Sequence, residues 1–133
     1  METEIYYIKG VNTMINDEIC TELAEVGLDC GEMISRFMDS EDMFLKYFRK
    51  FFTAADQVVN ELRAAVERDD LTEIEHKAHA LKGLSGNIGL NNVFSPANKI
   101  VGNLRAGKTD EYRSDFEKLE KAYNLALEIS HKL

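Results

Sequence analysis

The sequence predicts an all-α protein, an antiparallel up-down four-helix bundle with one or two short N-terminal helices packed across one end. Three observations lead to this fold class. Apolar residues recur every three or four positions along most of the chain, helix-capping residues stand at the starts of these segments, and short connections make successive helices antiparallel neighbours. At 133 residues the chain, residues 1–133, is predicted to be a single domain, with residues 1–40 preceding a bundle of residues 41–131.

The N-terminal 40 residues are predicted to contain short helices. Residues 1–10 fit an extended segment and the start of a helix equally well. A first helical stripe, followed by Gly27 as a terminating glycine, consists of Ile15, Ile19, Leu23 and Val26. Asp29 is expected to cap a second short helix, whose apolar residues are Met33, Ile34 and Phe37.

Ser40 is expected to cap a long scaffold helix, with acidic residues in its first turn. The inward residues of this helix are predicted to be Phe44, Tyr47, Phe48, Phe51, Ala55, Val58, Leu62, Ala65 and Val66. The aromatic cluster within it is interpreted as core rather than as a cofactor site, and it consists of Phe44, Tyr47, Phe48, Phe51 and Phe52.

Three further helices complete the predicted bundle. Asp70 and Glu73 have the spacing of a capping box at the start of the second helix, and Gly89 should end that helix. Pro96 leaves two starts open for the third helix, Ser95 as its cap or a start near Asn91 followed by a kink; its apolar residues are Val93, Ala97, Ile100, Val101 and Leu104. Thr109 is expected to cap the fourth, whose inward residues are Tyr112, Phe116, Leu119, Tyr123, Ala126 and Ile129.

Composition narrows the classes of function. The net charge of −8 argues against nucleic acid and anionic membranes as partners. The N-terminus lacks the pattern of a signal peptide, and no apolar run approaches the ~18 residues of a membrane span, so a cytoplasmic location is expected. Cys20 and Cys30 lack C-x-x-C spacing, and free thiols are expected rather than a disulfide or a zinc site.

One face of the second bundle helix carries residues whose side chains are suited to chemistry and binding. Its apolar stripe is predicted to be Ile74, Ala78, Leu81, Ser85 and Ile88. His79, Lys82, Gly83 and Gly86 cluster roughly 130° away from the centre of that stripe, so the histidine should point outward. Because each glycine inside a helix costs roughly 1 kcal/mol relative to alanine, two on this face suggest close approach by a partner. A nucleophilic imidazole beside a lysine suggests transient acceptance of a phosphoryl group.

These residues also fit other interpretations. Gly83 and Gly86 could serve close helix packing, but the helical wheel points them away from the core. His76 and His79 have H-x-x-H spacing, and Glu-x-x-His spacing, typical of di-iron bundles, occurs twice, at Glu73 to His76 and at Glu128 to His131. No metal site is predicted, because the wheel places the first pair toward the core edge or solvent and the scaffold helix offers no inward glutamate.

Residues 78–89, Ala-His-Ala-Leu-Lys-Gly-Leu-Ser-Gly-Asn-Ile-Gly, resemble the signature A-H-x-L-K-G-x-S/A-x-x-I/L-G of the histidine phosphotransfer (HPt) domain family at every fixed position. Weaker similarity to the segment before the family's helical hairpin begins at Gly27-Leu28-Asp29 and includes Met33, Arg36-Phe37 and the run from Met43 to Phe52. The likeness covers roughly residues 25–128.

The resemblance implies that His79 accepts a phosphoryl group from the phosphoaspartate of a response-regulator receiver domain and passes it to a second receiver. Lys82 would stabilise the phosphoryl group, and Gly83 and Gly86 would admit the partner. The receiver domain would supply Mg²⁺. A hybrid sensor histidine kinase is one kind of protein that contains such a domain. The chain would need no cofactor of its own and would be a carrier rather than an enzyme, since it has no nucleotide-binding motif.

The alternative is a docking module that carries no phosphate. A monomer is expected, because one bundle can bury all the apolar stripes.

Overall fold

The computed structural model describes residues 15–133, in which every regular element is an α helix. These residues form six helices: α1 (Asp17–Glu25), α2 (Cys30–Arg36), α3 (Glu41–Glu67), α4 (Leu71–Asn87), α5 (Asn91–Arg105) and α6 (Tyr112–Ser130). The all-α prediction is confirmed for this part of the chain. The segment 1–10 lies outside the described residues. None of the helices in residues 15–133 combines the length and the apolar character needed to cross a membrane.

The four long helices pack in a closed ring. Each contacts the next along the chain, α3 with α4, α4 with α5 and α5 with α6, and α6 returns to α3. The short helix α1 packs on α6 and α2, and α2 packs on α3. The two short helices are also tied to the start of α5. The Asn92 N–H donates to the Val26 carbonyl at 3.1 Å, and the side-chain amides of Asn91 and Asn92 donate to the carbonyls of Gly27 and Glu25.

Most predicted helix boundaries are confirmed. The side chains of Asp29, Ser40 and Asp70 accept hydrogen bonds at the starts of α2, α3 and α4. Gly27 follows the last residues of α1 as a terminating glycine. Helix α5 begins at Asn91 with Pro96 inside it, so the earlier of the two predicted starts is the observed one.

Two predictions about caps are wrong. Helix α6 begins at Tyr112 rather than after Thr109, and Glu111 precedes it without a capping hydrogen bond from its side chain. The Glu111 carboxylate instead pairs with Lys99 of α5 at 2.9 Å, so contact with α5 positions the start of α6. The capping box at α4 is only half formed. The Asp70 N–H donates to the Ala65 carbonyl, and Glu73 pairs with Lys77 instead of reaching back.

The predicted apolar stripes of α1, α4 and α6 are buried at every position. On α3, Phe44, Phe48 and Phe51 belong to the core as predicted, but Tyr47 does not, since 43% of it remains exposed. Its ring stacks on Phe37 with a centroid distance of 5.3 Å. The Nζ of Lys50, one turn later on α3, lies 5.6 Å from the centre of the same ring, so Tyr47 packs at the surface of the bundle.

Candidate functional site

Local hydrogen bonds fix both ends of α4, the helix that carries the candidate site. Asp70 accepts from the Glu73 N–H at its start. At its end the Leu90 N–H donates to the Ser85 carbonyl at 3.0 Å, a 6→1 bond that requires a left-handed residue just after the helix. Gly89 fills this position with φ +69°. A Cβ on Gly89 would also stand 2.4 Å from the Met33 Sδ, so a larger residue here would displace the buried Met33 side chain of α2.

His79 is exposed on the outer face of α4, as the helical pattern predicts. The apolar stripe on the opposite face is buried, and its one polar member, Ser85, donates its hydroxyl to the Leu81 carbonyl at 2.6 Å. Within residues 15–133 the imidazole makes no hydrogen bond and no ion pair. Its two ring nitrogens are therefore accessible to a partner.

Lys82 lies one turn after His79 and is half-buried. In the described part of the chain its ammonium group makes no ion pair. Lys77 on the same helix differs, because its Nζ lies 3.2 Å from Glu61 and 3.5 Å from Glu73, and the hydrogen bond to Glu61 raises the pKa of Lys77. Lys82 is thus the cation of these two that is available to an anionic group bound at His79.

The two glycines on this face have different surroundings. A Cβ built on Gly83 meets no atom within 4 Å, whereas one on Gly86 would lie 3.3 Å from Cδ1 of Phe94. The helical wheel predicts that both glycines point away from the core; Gly83 is exposed, and Gly86 is half-buried beside Phe94 of α5, which is itself only half-buried. Of the two glycines, Gly83 is therefore the one that leaves open space for a partner.

Sequence reasoning missed a charged pair near the histidine. Glu75 precedes His79 by four residues, so the two side chains share a face of α4. The Nε of Arg105, from the end of α5, lies 3.0 Å from Oε2 of Glu75. Arg105 thereby offsets a negative charge that would otherwise oppose a phosphoryl group on the neighbouring turn. The sequence shows that Glu75 stands four residues before His79. It does not show that Glu75 pairs with Arg105, because Arg105 lies 30 residues away in the chain.

The other residues with potential for metal or redox chemistry are two histidines and two cysteines. His76 and His131 are exposed, and residues 15–133 include no group of three or more His, Cys, Asp or Glu side chains placed to hold a metal ion. Cys20 and Cys30 are free thiols of α1 and α2. A hydrogen bond with Cys20 and burial raise the pKa of Cys30, which keeps its thiol protonated and unreactive.

Comparison with known proteins places this geometry in a family. No curated protein sequence and no solved structure matched the chain. The family model of the Hpt domain matches residues 46–129, which is more than half of the chain and includes all of α4 and α5. Hpt domains are helical phosphotransfer carriers of phosphorelays that interact with receiver domains. The chain therefore belongs to the Hpt, or histidine phosphotransfer, domain family.

Proposed function

We propose that this protein is a phosphorelay intermediate in which His79 takes a phosphoryl group from the phosphoaspartate of one receiver domain and delivers it to the aspartate of another. The observation that carries the proposal is the exposed, unpartnered imidazole of His79 beside Gly83, where a built Cβ meets no atom within 4 Å. A receiver can approach along this open side of α4 until its phosphoaspartate reaches the imidazole.

The transfer needs one nucleophile and a leaving group. The lone pair of an imidazole nitrogen attacks phosphorus, a P–N bond forms, and the P–O bond to the aspartate breaks with its electron pair passing to the carboxylate. The proton on the second ring nitrogen can leave to water because the side chain is exposed. The reverse sequence loads the second receiver. Such transfers depend on positioning and charge neutralisation rather than on covalent machinery in the carrier.

Charge neutralisation is divided between the two partners in this proposal. Lys82 stabilises the phosphoryl oxygens on His79, and Arg105 reduces the repulsion from Glu75. The receiver contributes Mg²⁺ and its acidic residues. A carrier of this kind needs no nucleotide site and no kinase activity of its own, because it receives the phosphoryl group from the partner. Gly86 belongs to the same face, with Phe94 beside it.

The fold supports the remaining expectations to different degrees. The closed ring of contacts among α3, α4, α5 and α6, with short connections between them, supports an antiparallel up-down bundle. The monomeric state stays a prediction that analytical ultracentrifugation can check, and the cytoplasmic location stays a prediction as well.

The deciding experiment mixes the protein with a receiver domain that is already phosphorylated on aspartate, with Mg²⁺ present. Intact mass and peptide mapping then locate any acid-labile phosphate. We expect phosphate on His79, none in His79→Gln, and wild-type labelling in His76→Gln, a matched change one turn away on the same helix. A folded protein that binds receivers but gains no phosphate would favour the docking module instead.

Variants of the neighbouring residues test the roles assigned to them. Gly83→Leu should block receiver docking and transfer while the helix stays folded, whereas Ala64→Leu, at an exposed position on α3, should transfer normally. Transfer by Gly83→Leu at the wild-type rate would refute the argument from open approach. Lys82→Ala should slow transfer or shorten the lifetime of the phosphohistidine, and unchanged values for both would reduce Lys82 to a surface charge.

A further inference from the structure

A groove of about 380 Å³ lies between the end of α1, the first turns of α5 and the middle of α6. Among the described residues that line it, none belongs to α4. The groove is therefore separate from the histidine face, and an inference drawn from it does not depend on the proposed phosphotransfer.

The floor of this groove is apolar. Val26 is buried beneath it, and Pro96 of α5 and Ala122 and Leu125 of α6 are half-buried along it. Ala122 and Leu125 pack against the core but remain partly open to solvent. An apolar side chain from outside would cover surface that the bundle itself leaves accessible, which favours binding.

Two lysines stand on one wall of the groove. Lys118 and Lys121 are three residues apart on α6, so their side chains are neighbours on one helix face. Both are exposed, and neither forms an ion pair with any residue in the range 15–133. By contrast, Lys99 and Lys132 are engaged by carboxylates. With Glu25 as the acidic residue of its lining, the groove is positive overall on a chain whose net charge is −8.

The proline of α5 adds a hydrogen-bond acceptor to the groove. Pro96 has no N–H, so the Asn92 carbonyl four residues earlier lacks its helical donor. The two donors of Asn92 point elsewhere, since its N–H donates to the Val26 carbonyl and its side-chain amide donates to the Glu25 carbonyl. Proline is disfavoured inside a helix, and here Pro96 lines the groove together with Asn92.

From these observations we propose that the groove binds a peptide segment of a partner protein in which acidic side chains flank an apolar one. The apolar side chain lies on Pro96 and Leu125, the carboxylates pair with Lys118 and Lys121, and a backbone N–H of the segment donates to the Asn92 carbonyl. A peptide is the ligand class that supplies all three groups together. Binding here tethers a partner to the α5–α6 side of the bundle and leaves His79 free.

The test uses full-length ¹⁵N-labelled protein and the synthetic peptide acetyl-Glu-Leu-Glu-Phe-Glu-amide at millimolar concentration. We expect amide shifts at Val26, Ser95 and Leu125. The double variant Lys118→Glu, Lys121→Glu should weaken the affinity about 10-fold, as expected for the loss of two exposed ion pairs. The control double variant Lys46→Glu, Lys50→Glu makes the same change in net charge on the exposed face of α3 and should bind the peptide as the wild type does.

Three results would overturn the proposal. The first is the absence of shifts at the groove with the acidic peptide, and the second is equal weakening by the two double variants, which would mean that net charge alone controls binding. The third is binding of decanoate at the groove without binding of the peptide, which would make the ligand a fatty acid. The peptide with lysine in place of each glutamate serves as the probe control and should leave the groove unshifted.

Discussion

Replacing Gly83 by alanine should stabilise the fold, because the glycine of the candidate site weakens its own helix. Gly83 lies inside α4, and a Cβ there meets nothing within 4 Å. The new methyl group therefore costs no steric strain and gains no packing. What remains is the difference in helix propensity between glycine and alanine, which arises mainly from the backbone freedom of glycine in the unfolded chain.

The expected gain is about 1 kcal/mol in the free energy of unfolding, equivalent to a rise in Tm of about 4 °C for a domain of this size. Urea and thermal denaturation followed by circular dichroism measure both quantities. Gly102→Ala provides a matched comparison on α5, since its Cβ also meets nothing within 4 Å, and it should gain as much. Gly86→Ala should gain less, because its Cβ would stand 3.3 Å from Phe94.

Comparing Gly83→Ala with Gly102→Ala tests whether the space beside Gly83 is open. If Gly102→Ala is stabilised while Gly83→Ala is not, the space beside Gly83 is not open in solution and the inferred approach of a partner along α4 loses its basis. If both variants are stabilised, glycine at position 83 lowers the stability of the fold, and its presence there needs an explanation other than stability. Loss of transfer in Gly83→Leu would then identify that use as docking.

Three further predictions concern the ends of α4 and the charges around it. Gly89→Ala should lose about 1–3 kcal/mol of stability in urea denaturation, because φ is +69° and the Met33 Sδ would lie 2.4 Å from the new Cβ; a neutral result would mean that α2 is not packed there. The hydroxyl of Tyr112 and then the Arg113 guanidinium lower the pKa of Asp69 in the folded protein. The ionised carboxylate therefore stabilises the fold at pH values above the pKa that Asp69 has in the unfolded chain, and this stabilisation is lost as the pH falls through its pKa in the folded protein. The deficit of Asp69→Asn relative to the wild type should therefore shrink as denaturation is measured at decreasing pH, and a deficit independent of pH would contradict this. Arg105→Gln should shorten the phosphohistidine lifetime about 2–5-fold, as expected for one exposed charge pair. Adding Glu75→Gln to the same protein should restore the lifetime. If it does not, Arg105 does not act on the phosphohistidine through Glu75.

Helical periodicity is a property of neighbouring residues, and the features that depend on it were predictable. The burial of Ile74, Ala78 and Leu81 and the exposure of His79 follow from the geometry of a single helix. The caps at Asp29 and Ser40 follow for the same reason, since a side chain bonds a backbone N–H three residues later.

Contacts between helices were not predictable in the same way. Thr109 is a good capping residue, yet α6 begins three residues later, where Glu111 contacts Lys99 of α5 and Tyr112 is buried. The helical stripe of α6 likewise gave no reason to bury Asp115, which is 1% exposed with Lys99 at 3.5 Å. A cap or a helix propensity at one position is worth about 1 kcal/mol, and packing between helices outweighs it.

The sequence by itself determined that the chain is helical and that one helix presents a histidine, a lysine and two glycines outward, because the hydrogen bonds and periodicity of a helix span only a few residues. The tertiary structure decided which of those residues are open to a partner. It brought Phe94 against Gly86, left Gly83 uncovered, and joined Arg105 to Glu75 across 30 residues of chain. These contacts depend on how α5 lies along α4, and no local pattern encodes that packing.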